Sequence, residues 1–376
     1  MDHESLQLIT SLRGDYPSAV STMSNFVASP APHVEEAMRA TAPLILTLAL
    51  SGCGSPAPEP ADADPVTTPD AAVTITEWLV PWEDTTPRDP YVGPQSHVWF
   101  VGQGGDYVAS FDPTTADFTR FDLDPGTGPH NLIVDDDGIV WYAGNRAAHI
   151  GRLDPESGEI TKLPMPDPAA GDPHTLVFDQ NGDIWFTVQA GNFVGKLSPR
   201  SGKIQLVAVP TQGARPYGIV IDSNNRPWIV EFGVNKIATV DPDTMALEEI
   251  ELPRPETRPR RLAITSDDKI WYVDYGLGFL GRLDGVTHEI EEWPVPAGGD
   301  ALAYGMAVDD RDRLWFVESG PQPNRLVGFD PATSDFFSIT EIESGGGTVR
   351  HMYFDERSRE IWFGTDTNYI GRAQLN

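Results

Sequence analysis

A tryptophan returns every 42 to 47 residues through most of this chain, at Trp99, Trp141, Trp185, Trp228, Trp271, Trp315 and Trp362. Each sits in a similar phrase, such as Ile139-Val-Trp-Tyr, Asp183-Ile-Trp-Phe and Arg313-Leu-Trp-Phe. A strand-rich unit repeated at a period in the low forties marks a β-propeller, because no copy can bury its apolar faces alone and each must stack on the next. The count predicts an all-β fold of seven blades, each of four antiparallel strands.

The clearest copy runs from His174 to Pro210. His174–Asp179 reads as a short apolar strand. Asn181-Gly182 is a two-residue hairpin turn, since both residues tolerate positive φ. Asp183–Thr187 is the second strand, Val194–Ser198 the third and Lys203–Val209 the outer one. The third strand repeats almost as faithfully as the tryptophan, as in Ile150-Gly-Arg-Leu, Val194-Gly-Lys-Leu and Ile370-Gly-Arg-Ala. The small residue at its second position predicts a close approach between sheets.

The last copy stops at Asn376 and lacks a fourth strand, whereas Ile75-Thr-Glu-Trp-Leu-Val precedes the first copy and resembles Ile290-Glu-Glu-Trp-Pro-Val. Residues 74–80 are therefore predicted to complete the blade that holds Trp362, closing the ring without an unpaired edge. One domain over residues 74–376 follows. The formal net charge of −30 argues against nucleic acid and anionic lipid as partners.

Upstream, Met38-Arg-Ala-Thr-Ala-Pro-Leu-Ile-Leu-Thr-Leu-Ala-Leu-Ser-Gly-Cys53 has a basic start, a short apolar core and small residues before a cysteine. This pattern is an export signal, too short for a membrane span. Leu50-Ser-Gly-Cys53 resembles the bacterial lipoprotein box, which implies lipidation at Cys53. Cys53 is the single cysteine, so intramolecular disulfides are excluded. The expectation is an exported monomer, held at the bacterial cell envelope only by that lipid, with residues 54–73 as a Pro/Ala/Asp-rich tether. Residues 1–37 read as an extension ahead of the true start.

Eleven residues before each tryptophan lies a distinctive position: Arg88, His130, His174, Tyr217, Arg260, Tyr304 and His351. A proline precedes five of them and fixes the chain's entry into the innermost strand. These residues are predicted to ring one end of the central channel. His130, His174 and His351 are candidates for proton transfer; Arg88, Tyr217, Arg260, Tyr304 and the nearby Gln189 are candidates for substrate binding. Three positions after the tryptophan stand Gly102, Gly144, Val188, Glu231, Asp274, Glu318 and Thr365, expected to form a second ring. Two readings fit Glu231, Asp274 and Glu318: they bind a metal or polar ligand, or they pair with Arg88, Arg260 and Arg261 to hold blades together. His97, His149 and His288 fall at other registers and read as surface or turn residues. Asp135-Asp-Asp137 and Asp309-Asp310 fall at hairpin turns, where Asp is favoured structurally. No G-x-S-x-G elbow, phosphate-cradling glycine loop or H-E-x-x-H helix is present.

The phrases x-Pro-His-x-Ile/Leu, Gly-x-Ile-Trp-Phe-Thr and Ile-Gly-Lys/Arg-Leu together resemble the virginiamycin B lyase (streptogramin lyase) family of seven-bladed propellers, over residues 74–376. The resemblance implies a Mg²⁺-dependent elimination that opens an ester-containing cyclic peptide without water. It implies His174 as base, Asp172 as metal ligand and His130 as a substrate contact. The position of the second ligand carries Val188, with Gln189 beside it. In the last copy Val349 and Thr365 stand at both carboxylate positions around His351. A lactonase-like hydrolase, with Glu231, Asp274 and Glu318 around a metal, and a non-catalytic ligand-binding propeller are the other functions compatible with a polar funnel.

Overall fold

The computed structural model describes residues 73–376. The export signal, Cys53, the segment 1–37 and the tether up to residue 72 lie outside the described residues. Seven four-stranded antiparallel sheets follow one another around a ring. Blades 1 to 6 span residues 87–122, 129–164, 173–208, 216–251, 259–294 and 303–341. Blade 7 takes three strands from residues 352–375 and its outer strand from Val73–Leu79. That strand pairs from Val73 opposite Leu375 to Leu79 opposite Tyr369, so the closure read from the sequence is present in the structure.

The core lies between neighbouring blades. Trp271 of blade 5 packs with Phe316 and Phe329 of blade 6, and Trp185 of blade 3 with Ile219 and Ile229 of blade 4. Such a ring buries some 150–250 Å² and fills the wedge between two twisted sheets. Its indole N–H needs a partner once buried. An aspartate six residues earlier supplies it: Trp185 Nε1 donates to Asp179 Oδ2 at 3.1 Å and Trp228 Nε1 to Asp222 Oδ2 at 2.9 Å. The same carboxylate accepts the N–H groups of Asn181 and Asp183 at 2.9 and 3.0 Å, fixing the hairpin. Blade 5 uses Thr265 Oγ1 for this purpose.

The small residue of the third strand has a different cause from sheet-to-sheet approach. Gly195 pairs with Phe186 across the ladder, and a Cβ on it would meet that ring at 2.1 Å. Gly151 under Tyr142 and Gly281 under Tyr272 repeat the arrangement. The aromatic after the tryptophan folds back over the neighbouring strand, and only glycine leaves it room.

The innermost strands line the central channel. Each of blades 1 to 6 enters this strand through a register shift: between Pro173 and Leu176, Pro216 and Ile219, Pro129 and Leu132, and their equivalents. A bulge there frees one or two residues from the ladder and re-aims their side chains. These are the residues that build the site. A cavity of about 430 Å³ adjoins them, lined by Arg261 and His351 and by apolar groups such as Ile133, Val177, Val220 and Ala307.

Candidate active site

The bulges bring the predicted ring together at one end of the channel. The His130 and His174 rings lie 3.5 Å apart between centroids, and His174 lies 4.2 Å from Tyr217. The Tyr217 and Tyr304 hydroxyls are hydrogen-bonded. Arg260 stands over Tyr304, Tyr275 and Phe232 at 3.8, 4.1 and 4.4 Å. Arg88 Nη1 donates to Gln103 Oε1 at 2.8 Å. His174 is 1 % exposed and His130 6 %, so this layer closes the channel with polar groups. Gln189 sits at the rim, half-buried.

One position further along each inner strand lies a second layer, which the tryptophan register alone does not reveal. Asp89, fully buried and at φ +50°, accepts from Arg88 Nε at 3.2 Å, from Asn131 Nδ2 at 3.0 Å and from an Arg261 Nη at 3.3 Å. Arg261 also donates to the Arg350 carbonyl at 2.9 Å and to Thr175 Oγ1 at 3.3 Å. Asn131 Oδ1 accepts the N–H of Leu176 at 2.8 Å, linking blades 2 and 3. Reading the residues after the ring (Asp89, Asn131, Thr175, Arg261) as a register of their own would have found this layer. Phe232, Tyr275 and Asp366, four positions after their tryptophans, line the rim in the same way, and Asp366 is paired with Arg350.

Burial pushes the His130 and His174 imidazoles well below their usual range, and the nearby guanidiniums of Arg88 and Arg261 push the same way. His351 is lowered to about 4, by burial first and then by Arg261. All three are neutral near physiological pH. His174 Nδ1 lies 2.9 Å from Thr175 Oγ1; in the tautomer that donates this bond, Nε2, which has no protein partner, is the free base. Burial raises the Tyr217 hydroxyl, but Arg260, Arg88 and Arg261 outweigh it and hold it below the usual phenol range. Asp89 would be raised by burial, yet Arg88 and Arg261 keep it well below the ordinary carboxylate range.

The second predicted ring is not on the funnel. Residues three after the tryptophan pair with the residue ahead of each ring position, such as Val188 with Pro173 and Glu231 with Pro216, and their side chains are buried within or beneath the blades. Asp274 Oδ1 accepts the N–H of Arg258 and of Gly276, each at 2.8 Å. Glu318 accepts the Ala297 N–H at 2.7 Å and pairs with Arg325. Glu231 lies beside Glu249, and burial with that neighbour pushes it up to about 8. None pairs with Arg88, Arg260 or Arg261. His149 is likewise buried, in the third strand of blade 2, rather than at the surface.

These residues do not fit a magnesium ion. Both oxygens of Asp172 are taken by backbone N–H groups, Ala190 at 2.6 Å and Gly191 at 2.9 Å. Val188 is fully buried and apolar. In the last blade Val349 is buried and Thr365 Oγ1 accepts the Tyr369 N–H at 2.9 Å. Among the described residues no group of three or more His, Cys, Asp or Glu is gathered for an ion. A hard cation needs several oxygens converging on one point.

The family model described as the virginiamycin B lyase family matches residues 62–326. Among solved structures, a streptogramin B lyase aligns with TM-score 0.72 and 26% identity, over 81% of this chain and 98% of that one. Virginiamycin B lyase from Staphylococcus aureus aligns with TM-score 0.72 and 25% identity, over 81% of this chain and 100% of that one. A catalytically inactive form of that enzyme with quinupristin gives TM-score 0.74 at 25% identity, over the same shares. The WD40 propeller of Doa1, at 13% identity and TM-score 0.63 over 80% of this chain and 96% of that one, shares the fold alone. No curated protein matches the chain.

Proposed function

Because the chain belongs to the virginiamycin B lyase family, we propose that it is a carbon–oxygen lyase that opens an ester-containing cyclic substrate at the histidine-lined mouth. Opening an ester without water has a fixed balance. A base takes the proton from the carbon beside a carbonyl. The released electron pair forms a carbon–carbon double bond, and the alkyl carbon–oxygen bond breaks so that a carboxylate leaves. The observation that carries this reading is His174, neutral, with its ring tilted against His130 at 3.5 Å between centroids and with Nε2 unpartnered in a layer of guanidiniums. Nε2 takes the proton; His130 orients the ring and the bound substrate; Gln189 and Tyr304 contact the substrate. A carbon acid is weak, so the base needs nearby positive charge to hold the enolate-like transition state. No step runs through Mg²⁺, since the residues do not fit it.

The test is incubation of the purified protein with a type B streptogramin, followed by chromatography and mass spectrometry. A product of unchanged mass and shifted retention, lost in His174→Ala, is expected. A gain of one water would favour the hydrolase, and an unaltered substrate would overturn the lyase assignment. We further propose that the protein is exported and lipid-anchored through Cys53; incorporation of labelled palmitate that persists in Cys53→Ser would sink this.

A further inference from the structure

We propose that Arg88, Arg260, Arg261 and Arg350 form a metal-independent cradle for a carboxylate, or for an oxyanion developing beside one, at the mouth of the channel. The inference takes its chemistry from the proposed elimination, whose leaving group is a carboxylate, but its test needs no turnover.

The four guanidiniums come from three different blade positions and converge. Arg261 reaches Asp89 and the Arg350 backbone. Arg88 lies against Asp89. Arg260 stands over Tyr217 at 5.3 Å, the same distance as Arg261. Facing them are two carboxylates: Asp89, committed to Arg88 and Arg261, and Asp366, paired with Arg350. Positive charge is therefore left uncompensated among buried groups of a chain whose net charge is −30. Uncompensated buried charge is costly unless something else meets it.

Two further observations say what meets it. Arg88 Nη2, on a side chain 6 % exposed, and Arg260 Nε are buried donors without a protein partner. Arg260 is held by the faces of Phe232, Tyr275 and Tyr304. Cation–π contact orients a guanidinium without consuming its N–H donors. A planar acceptor fits such donors best, and carboxylates are recognised by guanidinium forks. Three aromatic rings beside Arg260 favour an arylated acid.

The experiment uses protein freed of divalent ions on a chelating resin, with three probes of one shape: benzoate, neutral benzamide and cationic benzamidine. Titration calorimetry is expected to give benzoate about tenfold tighter than benzamide, the worth of one charge-assisted hydrogen bond, with benzamidine the weakest. Added Mg²⁺ is expected to leave the benzoate affinity unchanged. Arg88→Gln is expected to erase most of the preference. Arg260→Gln, which breaks no ion pair, is the second variant should Arg88→Gln fail to fold. Equal affinity for benzoate and benzamide, a requirement for Mg²⁺, or an unaltered preference in Arg260→Gln would each overturn the cradle. An absent elimination product with the benzoate preference intact would count against the lyase and not against the cradle.

Discussion

Arg261 meets Asp89 at 3.3 Å across the central channel, although 172 positions separate them in the chain. Their side chains are 4 % and 0 % exposed. Removing one partner of such a pair leaves a buried charge uncompensated. Asp89→Asn and Arg261→Met are each expected to cost about 3–5 kcal/mol in chemical denaturation. The double variant should cost less than the two single losses together, because Asp89 and Arg261 no longer strand each other, while Arg88 loses its carboxylate in both the double variant and Asp89→Asn. Additive losses would show that the two groups act independently.

The hairpin aspartates bear on stability in a second way. Asp179 alone accepts one indole N–H and two backbone N–H groups. Asp179→Ala is expected to destabilise by about 1–3 kcal/mol, the cost of stranding buried donors. Asp136→Ala, at the exposed turn next to the equivalent Asp135, should change little. The comparison is a pair of urea melts.

How far the sequence revealed this structure follows from which features repeat. The tryptophan, the third-strand glycine and the position eleven before the tryptophan recur in register, so the blades, the closing strand and the ring His130–His174–Tyr217–Tyr304 were legible. The pairing of Asp89 with Arg261 was not, because the two lie in different repeats and meet only through ring closure, which spacing does not report. The carboxylates Glu231, Asp274 and Glu318 misled for the opposite reason. They recur at one register, but that register pairs with the residue ahead of the bulge, where a side chain meets loop backbone and not the channel. Asp172 fits the family motif in sequence, yet the loop after Val188 has claimed both its oxygens.

Glu231 gives a pH prediction of definite sign. Its carboxyl moves from 4.5 to about 8 on folding, so between those values the native state holds a proton that the unfolded chain has lost. The contribution is complete below about pH 4.5 and is lost as the pH rises through about 8. Glu231→Gln is expected to flatten the fall in melting temperature between about pH 5 and 8, and to raise it by about 2 °C or more above about pH 8. A variant with the same slope as the parent would contradict the assignment.

His351 behaves in the reverse sense. Burial and Arg261 lower it to about 4 from 6.5, so its contribution is present above pH 6.5 and lost as the pH falls toward 4. Its ring proton resonance is expected to stay fixed from about pH 8 to 5. A midpoint above about 6 for His351 would mean that the mouth is far wetter or less cationic than described.

The pairing of Val73 with Leu375 fixes an order of events during synthesis. Val73–Leu79 emerges from the ribosome before its partner strand and must wait while six complete blades are made. Its partner, Tyr369–Leu375, follows all six, so the ring can shut only once that strand has emerged. Until then the growing chain exposes one bare edge at each end of an open arc, and any premature stop codon in the final blade yields a protein that can never close.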